Sequence, residues 1–201
     1  MKTLSPHYSK ALVTGLILLW LLGGCSGTAT RDGDSGQAVK LPRDYDQALV
    51  LMQSGDYGAA IPVLQAFIEQ QPQLAGPHLN LGIAYRKVGE PDAAVTALEK
   101  AAELNPDNPV TYQQLGISYR EQGRFEAALD AYKKALKLDP AYALAHRNIG
   151  ILYDLYLQQP ALALQHYRRY LELIGEPDQT VDRWVVDLQR RTGTASARST
   201  P

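Results

Sequence analysis

Apolar residues recur along this chain in blocks spaced 34 positions apart. Leu81-Gly82-Ile83-Ala84-Tyr85 returns as Leu115-Gly116-Ile117-Ser118-Tyr119, and again as Ile149-Gly150-Ile151-Leu152-Tyr153. Ala94, Leu98, Ala101 and Pro106 follow the first block, and Ala128, Tyr132, Ala135 and Pro140 hold the same places after the second. A fainter copy precedes them in Ala48, Ala60, Leu64 and Pro72. The spacing inside each unit predicts two antiparallel helices, in the third unit Val110 to Glu121 and Phe125 to Leu138. Gly55, Gly89 and Gly123 stand between the helices, where a helix end favours a residue tolerant of positive φ. Asn105-Pro106 and Asp139-Pro140 stop the second helices, because the residue before proline is pushed out of the helical region. A repeat of this length marks an all-α solenoid in which each unit packs only on its neighbours.

The Leu-Gly-x-x-Tyr core with its trailing alanines and proline resembles the tetratricopeptide repeat (TPR) family. The units are framed as 41–74, 75–108, 109–142 and 143–177, a domain of about four helix-turn-helix repeats over residues 41–177. Departures fall at the ends. The first unit has Gln47-Ala48 in place of Leu-Gly and Leu51 in place of tyrosine. The fourth has one extra residue between its helices, and Tyr170 where the others carry a small residue.

Gly82, Gly116 and Gly150 interrupt first helices, at a cost of about 1 kcal/mol each relative to alanine. Close helix approach explains them, with Ala94, Ala128 and Ala163 expected opposite. The Tyr85, Tyr119, Tyr153 series reads as core packing. His78 and His146, in a place often filled by tryptophan in this family, read as inter-helix packing residues. His166 reads as a solvated or groove-edge side chain. No metal partner stands at ligand spacing from any of them.

Beyond the repeats, Val181, Trp184, Val185 and Leu188 form one helical face and Asp182, Arg183, Asp187, Gln189 and Arg190 the other. Residues 178–191 are therefore expected to cap the solenoid. The small, polar tail 192–201 is expected to be disordered.

The front of the chain is of another kind. Lys2 and Lys10 precede the apolar run Ala11 to Leu22, which has the length of a signal-peptide core. It ends in Leu22-Gly23-Gly24-Cys25, which resembles the lipobox of bacterial lipoproteins. The resemblance implies that residues 1–24 are removed and that Cys25 carries lipid, the one cofactor-like group expected. An ordinary secretory signal with an incidental cysteine, or an uncleaved anchor, is the alternative. Cys25 is the sole cysteine, so no internal disulfide forms. Residues 25–40, rich in Gly, Ser, Thr and Asp, read as a flexible tether spanning roughly 20 Å. Ser26 follows the cysteine where, in Gram-negative lipoproteins, an aspartate favours inner-membrane retention. The expected address is the outer membrane, facing the periplasm.

Charge excludes rather than identifies. The chain has 20 basic and 21 acidic residues; without residues 1–24, which hold two lysines and no acid, the formal charge is −3. There is no basic stripe for nucleic acid and no polybasic patch beside the lipid. No phosphate loop, His-Glu-x-x-His or Cys-x-x-Cys occurs. No catalytic residue, metal, small-molecule substrate or further cofactor is expected.

What remains is the concave face, which first helices line in this family. Its candidate peptide-binding residues are Tyr45, Leu49 and Met52 in the first unit and Asn80, Ile83 and Arg86 in the second. Gln114, Ile117 and Arg120 follow in the third, and Arg147, Asn148 and Ile151 in the fourth. The amides of Asn80, Gln114 and Asn148 offer donors and acceptors to an extended peptide, and the arginines suit carboxylates. The alternative is that these are simply solvated helix faces. Tyr45, Leu49 and Met52 look like an apolar pocket for a hydrophobic anchor. Tyr45 and Leu49 also break the clamp by which some family members hold a C-terminal carboxylate, although Asn80 and Asn148 match its asparagine place. The general plan is similar to pilotin-like TPR lipoproteins. It implies a non-catalytic adaptor binding protein partners in the cell envelope, with pilus or secretion-pore assembly favoured. An adaptor for peptidoglycan hydrolases, or a subunit of a motility or TonB-type complex, is the alternative.

Overall fold

The computed structural model describes residues 43–198. The expected signal peptide 1–24, lipidated Cys25 and tether 25–40 lie outside the described residues, as do 199–201 at the end of the tail. The described residues form helices α1 (Arg43–Gln53), α2 (Tyr57–Gln70), α3 (Ala75–Val88), α4 (Pro91–Leu104), α5 (Pro109–Glu121), α6 (Phe125–Leu138), α7 (Ala143–Leu155), α8 (Pro160–Ile174) and α9 (Gln179–Arg198), with no strand among them. Consecutive helices pack on one another throughout, and α3 also meets α5, and α5 meets α7. That is the expected all-α solenoid: four helical hairpins in file, first helices lining a common face, and α9 closing the end.

The turns follow the local chemistry. Gly89, at φ 85°, lets the chain leave α3 in a left-handed conformation that a side chain would strain. Asp56 and Asn108 cap α2 and α5 by accepting from Ala59 N (3.1 Å) and Val110 N (3.0 Å). Pro91, Pro109 and Pro160 open α4, α5 and α8, where the missing N–H is no loss.

Packing within each hairpin turns on the central glycine. A Cβ built on Gly82 would lie 2.5 Å from Leu98 Cγ, and one on Gly150 would lie 2.5 Å from Tyr167 Cδ1. At Gly116 the Tyr132 ring is as close. Ala94 lies opposite Gly82 as expected, its carbonyl oxygen 3.0 Å from that Cβ, but the nearest atoms at the three glycines belong to Leu98, Tyr132 and Tyr167 rather than to Ala94, Ala128 and Ala163. Those alanines are fully buried nearby, but the residue four places later covers the glycine. Helical side chains lean toward the N-terminus, so a spot on the surface is covered from one turn further along. Leu98, Tyr132 and Tyr167 are thereby buried to 1% exposure or less.

The tyrosine series is amphipathic rather than wholly interior. Tyr85 OH accepts from Gln65 Nε2 and Tyr119 OH donates to Glu99, both at 2.7 Å, tying first helices to the preceding second helices. The histidines tie loops as well. His78 Nε2 donates to the Pro72 carbonyl (3.1 Å) and His146 Nε2 to the Pro140 carbonyl (3.3 Å), six residues back in each case. His166 is not a solvated side chain: its Nδ1 lies 3.0 Å from Nδ1 of His146. One of the two facing Nδ1 atoms must donate and the other accept, so the accepting ring is neutral and the two rings cannot both be protonated.

Beyond the repeats, α9 packs on α8. Val181 and Leu188 are fully buried, and Trp184 stacks at 5.3 Å on Tyr167. Tyr170, the odd residue of the fourth unit, has its reason here: its hydroxyl donates to Asp178, which also accepts from Thr180 N and Val181 N at the start of α9. These bonds hold the Asp178 carboxyl below its ordinary range, backbone hydrogen bonding being the main cause. The tail departs from expectation. α9 continues to Arg198, past the expected end at 191, because nothing between Thr192 and Arg198 breaks a helix except Gly193, and the Thr192 hydroxyl donates back to Leu188 O at 2.8 Å.

Two measurements test this packing. Gly116→Ala should destabilise the domain by about 1–3 kcal/mol in chemical denaturation, because the methyl meets a buried ring. Gly58→Ala on α2, where the added methyl meets only Asp56 Oδ1 at an ordinary 4.0 Å, should stabilise it by about 0.5–1 kcal/mol. Equal effects would refute the close-approach account. Burial pushes the His166 pKa down to about 4, with His146 and Lys133 adding to it, and burial lowers His146 as well. Unfolded histidines titrate near 6.5. The stabilisation is therefore complete above about pH 6.5 and is lost as pH falls from there toward 4. Unfolding free energy measured across that window should fall less steeply in His166→Gln; an identical slope would rule out the pair as its source.

Candidate functional site

The face shared by α1, α3, α5 and α7 brings most of the sequence-selected residues together, but the fold has already used several. Tyr45 is only 7% exposed, packs at 5.0 Å on Phe67, and accepts a 2.7 Å hydrogen bond from Asn80 Nδ2. It is core rather than the wall of an open pocket. Its neighbours Leu49 and Met52 are partly buried against the same cluster. Ile83 is half-buried, and Ile117 and Ile151 are partly buried against the core formed by the later repeats. These residues make the floor of the face.

The polar residues form struts from each first helix to the next. Arg86 on α3 donates to Gln114 Oε1 and Glu121 Oε1 on α5, both at 3.3 Å. Arg120 on α5 reaches the Tyr156 hydroxyl at the end of α7 at 3.5 Å. Asp154 on α7 pairs with Arg191 on α9 at 2.6 Å. The amide ladder is thus partly consumed: Asn80 serves Tyr45, and Gln114 donates to Gln113 (2.9 Å) while accepting from Arg86. Asn148 has no hydrogen bond among the described residues, nor has the guanidinium of Arg147, whose carbon lies 5.9 Å from the Trp184 ring centroid.

Electrostatically the two halves of the face differ. Arg86 has Glu121 as counter-charge. Arg120 and Arg147 form no ion pair among the described residues, although Asp178 lies near enough to Arg147 to feel its charge. The Nε atoms of Arg86, Arg120 and Arg147 and the hydroxyl of Tyr132 are all buried without a hydrogen-bond partner. Burial pushes the Tyr132 pKa up to about 12, with Arg120 working against it. Burial would lower the Arg120 pKa, but the Tyr132 and Tyr156 hydroxyls beside it raise it overall.

At the far end a cavity of about 800 Å³ opens between α7, α8 and α9, walled by Ile151, Leu155, Tyr167 and Trp184. Gln158 also lines it, at φ 51° the sole non-glycine in the left-handed region among the described residues. Gln158 lies in the connection that the extra residue of the fourth unit lengthens, so the insertion, the strained backbone and the cavity coincide. Sequence reading named neither Tyr132 nor Tyr156 as site residues, and gave Trp184 and Arg191 no part in the face. The contacts of Tyr156 with Arg120 and of Arg191 with Asp154 join residues 36 and 37 positions apart, a spacing that follows from the repeat once the next first helix is laid beside the last. Among the described residues no group of three metal-ligating side chains occurs.

Comparison with known proteins agrees with this architecture. Tetratricopeptide-repeat models match residues 45–109 and 97–130, and a TPR-repeat model matches residues 116–155. No curated protein matches the sequence. Among solved structures, one described as "MamA MSR-1 C2" is 30% identical with a TM-score of 0.57, over 66% of this chain and 75% of that one. Pseudomonas aeruginosa pilF has a TM-score of 0.69 at 23% identity, over 76% of this chain and 68% of that one. YrrB, described as a TPR protein with an unusual peptide-binding site, has a TM-score of 0.60 at 22% identity, over 69% of this chain and 70% of that one. With the family models tiling all four hairpins in part or whole and the fold matching theirs, the chain belongs to the tetratricopeptide repeat family.

Proposed function

We propose that this chain is a non-catalytic adaptor that holds a segment of a protein partner along the face of α3, α5 and α7, and that it works from the bacterial envelope through lipid on Cys25. The observation that carries the binding reading is the pair Arg147 and Asn148. Both are half-buried on the inner face, adjacent in sequence, and without hydrogen bonds to the described residues. A polar side chain held by packing yet left without a partner is poised for one from outside. The sequence around Cys25 supports the anchor, and the likeness to pilF is in keeping with a role in a pilus or secretion machine. The peptide-binding site in YrrB's description is in keeping with recognition of an extended segment.

A photo-crosslinker placed at Asn148 in the native host should give a discrete adduct, and one at exposed Asp130 on α6 should not. Adducts at Asp130 and none at Asn148 would move the binding surface off the inner face. Cys25→Ser should abolish incorporation of labelled palmitate and shift the chain from the membrane to the soluble fraction. Unchanged labelling and fractionation would sink the lipid anchor.

A further inference from the structure

The inner face is not uniform in charge, and its asymmetry specifies a class of partner. Toward the first repeats the polar groups engage one another: Tyr45 with Asn80, and Arg86, its Nε–H apart, with Gln114 and Glu121. Toward the last repeats two guanidinium groups stand without a paired carboxylate. Arg120 has the Tyr156 and Tyr132 hydroxyls beside it, and Arg147 lies by the Trp184 ring with Tyr167, Tyr170 and Asp178 near enough to feel its charge, but neither forms an ion pair. Both have a buried, unpartnered Nε–H. Tyr132, fully buried, sets its hydroxyl against Arg120, the group beside it that most favours its charged form.

A half-buried cation is normally matched by an anion, since desolvation is otherwise uncompensated. The nearby acids do not supply one. Glu121 is engaged by Arg86 and Asp154 by Arg191, while Asp178 is taken up by Tyr170 and the first turn of α9. Arginine forks match carboxylates bidentately, which suits this arrangement better than a point contact would. The Trp184 ring beside Arg147 also walls the cavity of about 800 Å³, whose apolar side is Ile151, Leu155 and Tyr167 and whose polar side is Asp154 and Asp187, both paired with Arg191; Leu155 is 65% exposed at its rim. Its apolar wall and neighbouring positive charge define one ligand chemistry.

We propose that the inner face of α5, α7 and α9 binds an acidic segment of a partner protein, its carboxylates on Arg120 and Arg147 and one large apolar side chain in the cavity against Trp184. Asn148 hydrogen-bonds the segment's backbone between the two. The proposal rests on the inner-face reading above and names the partner class and the half of the face that it uses.

The test is fluorescence anisotropy with the purified full-length chain in detergent. The probes are a short labelled peptide of glutamates flanking a central Phe-Leu pair, a version with every glutamate changed to glutamine, and a version with the Phe-Leu pair changed to serines. The acidic apolar probe should bind, more weakly as salt is raised. The glutamine probe and the serine probe should each bind at least about tenfold more weakly. Arg120→Gln and Arg147→Gln should each weaken the acidic probe about tenfold. Arg147→Lys, which keeps the charge and loses the fork, should fall between. Lys100→Gln removes an equal charge from α4, and should leave binding within about twofold. Melting temperatures of the variants show that they remain folded, and the probe comparison needs no variant at all. Equal binding of the acidic and glutamine probes overturns the acidic partner and leaves the inner-face reading standing. So does a loss in Lys100→Gln as large as in Arg147→Gln. No binding of any probe overturns the proposal, while an adduct at Asn148 in the host then keeps the inner face as a binding surface for a different chemistry.

Discussion

The structure depends on one steric constraint, the absence of a side chain at Gly82, Gly116 and Gly150. Each glycine lets Leu98, Tyr132 or Tyr167 of the following helix lie directly on the first helix backbone. That contact sets the separation within a hairpin, and hence how far the next first helix stands from the last. The inter-repeat bonds, Arg86 to Glu121, Arg120 to Tyr156 and Asp154 to Arg191, are possible only at that spacing. They are modest individually, as partly exposed ion pairs and hydrogen bonds usually are. What they fix is the orientation of one repeat on the next.

The inner face has two tasks that compete for the same side chains. A polar group there can brace the stack or address a partner. The first half of the domain has settled the competition in favour of bracing, and its amides and arginine are spent. The second half has not, and the difference traces to what the following helix offers. α5 presents Glu121 to Arg86, whereas α7 presents Tyr156 to Arg120, an aromatic hydroxyl in place of a carboxylate. α9 presents Trp184 to Arg147. Where the partner helix supplies aromatic groups instead of acids, cations on the face form no ion pair.

Periodicity made the fold legible. The recurrence of Leu-Gly-x-x-Tyr at fixed spacing located both helices of each repeat, and the helical spacing of Val181, Trp184, Val185 and Leu188 located the cap. Less legible was what lies across from what. Ala128 was expected over Gly116, and the Tyr132 ring is there, because side chains lean along the helix in a way that a one-dimensional pattern does not carry. Tyr45 stood in a groove position by register and proved to be core, because its ring packs on Phe67 of α2 and its hydroxyl is taken by Asn80 of α3. The polar struts, and with them the distinction between spent and available arginines, depend on distances between helices and lay beyond the reach of spacing.

The capping helix has a consequence for assembly. A stack of like repeats is in principle open-ended, and any copy whose last hairpin resembles an interior one offers a seat for the first hairpin of another. Head-to-tail contacts of that kind do not close and grow into filaments. Here α9 occupies the seat, burying Val181 and Leu188 inward while turning exposed Asp182, Arg183, Gln189 and Arg190 outward. The charged outer side of α9 makes the solenoid finite: at this end the chain terminates its own polymer.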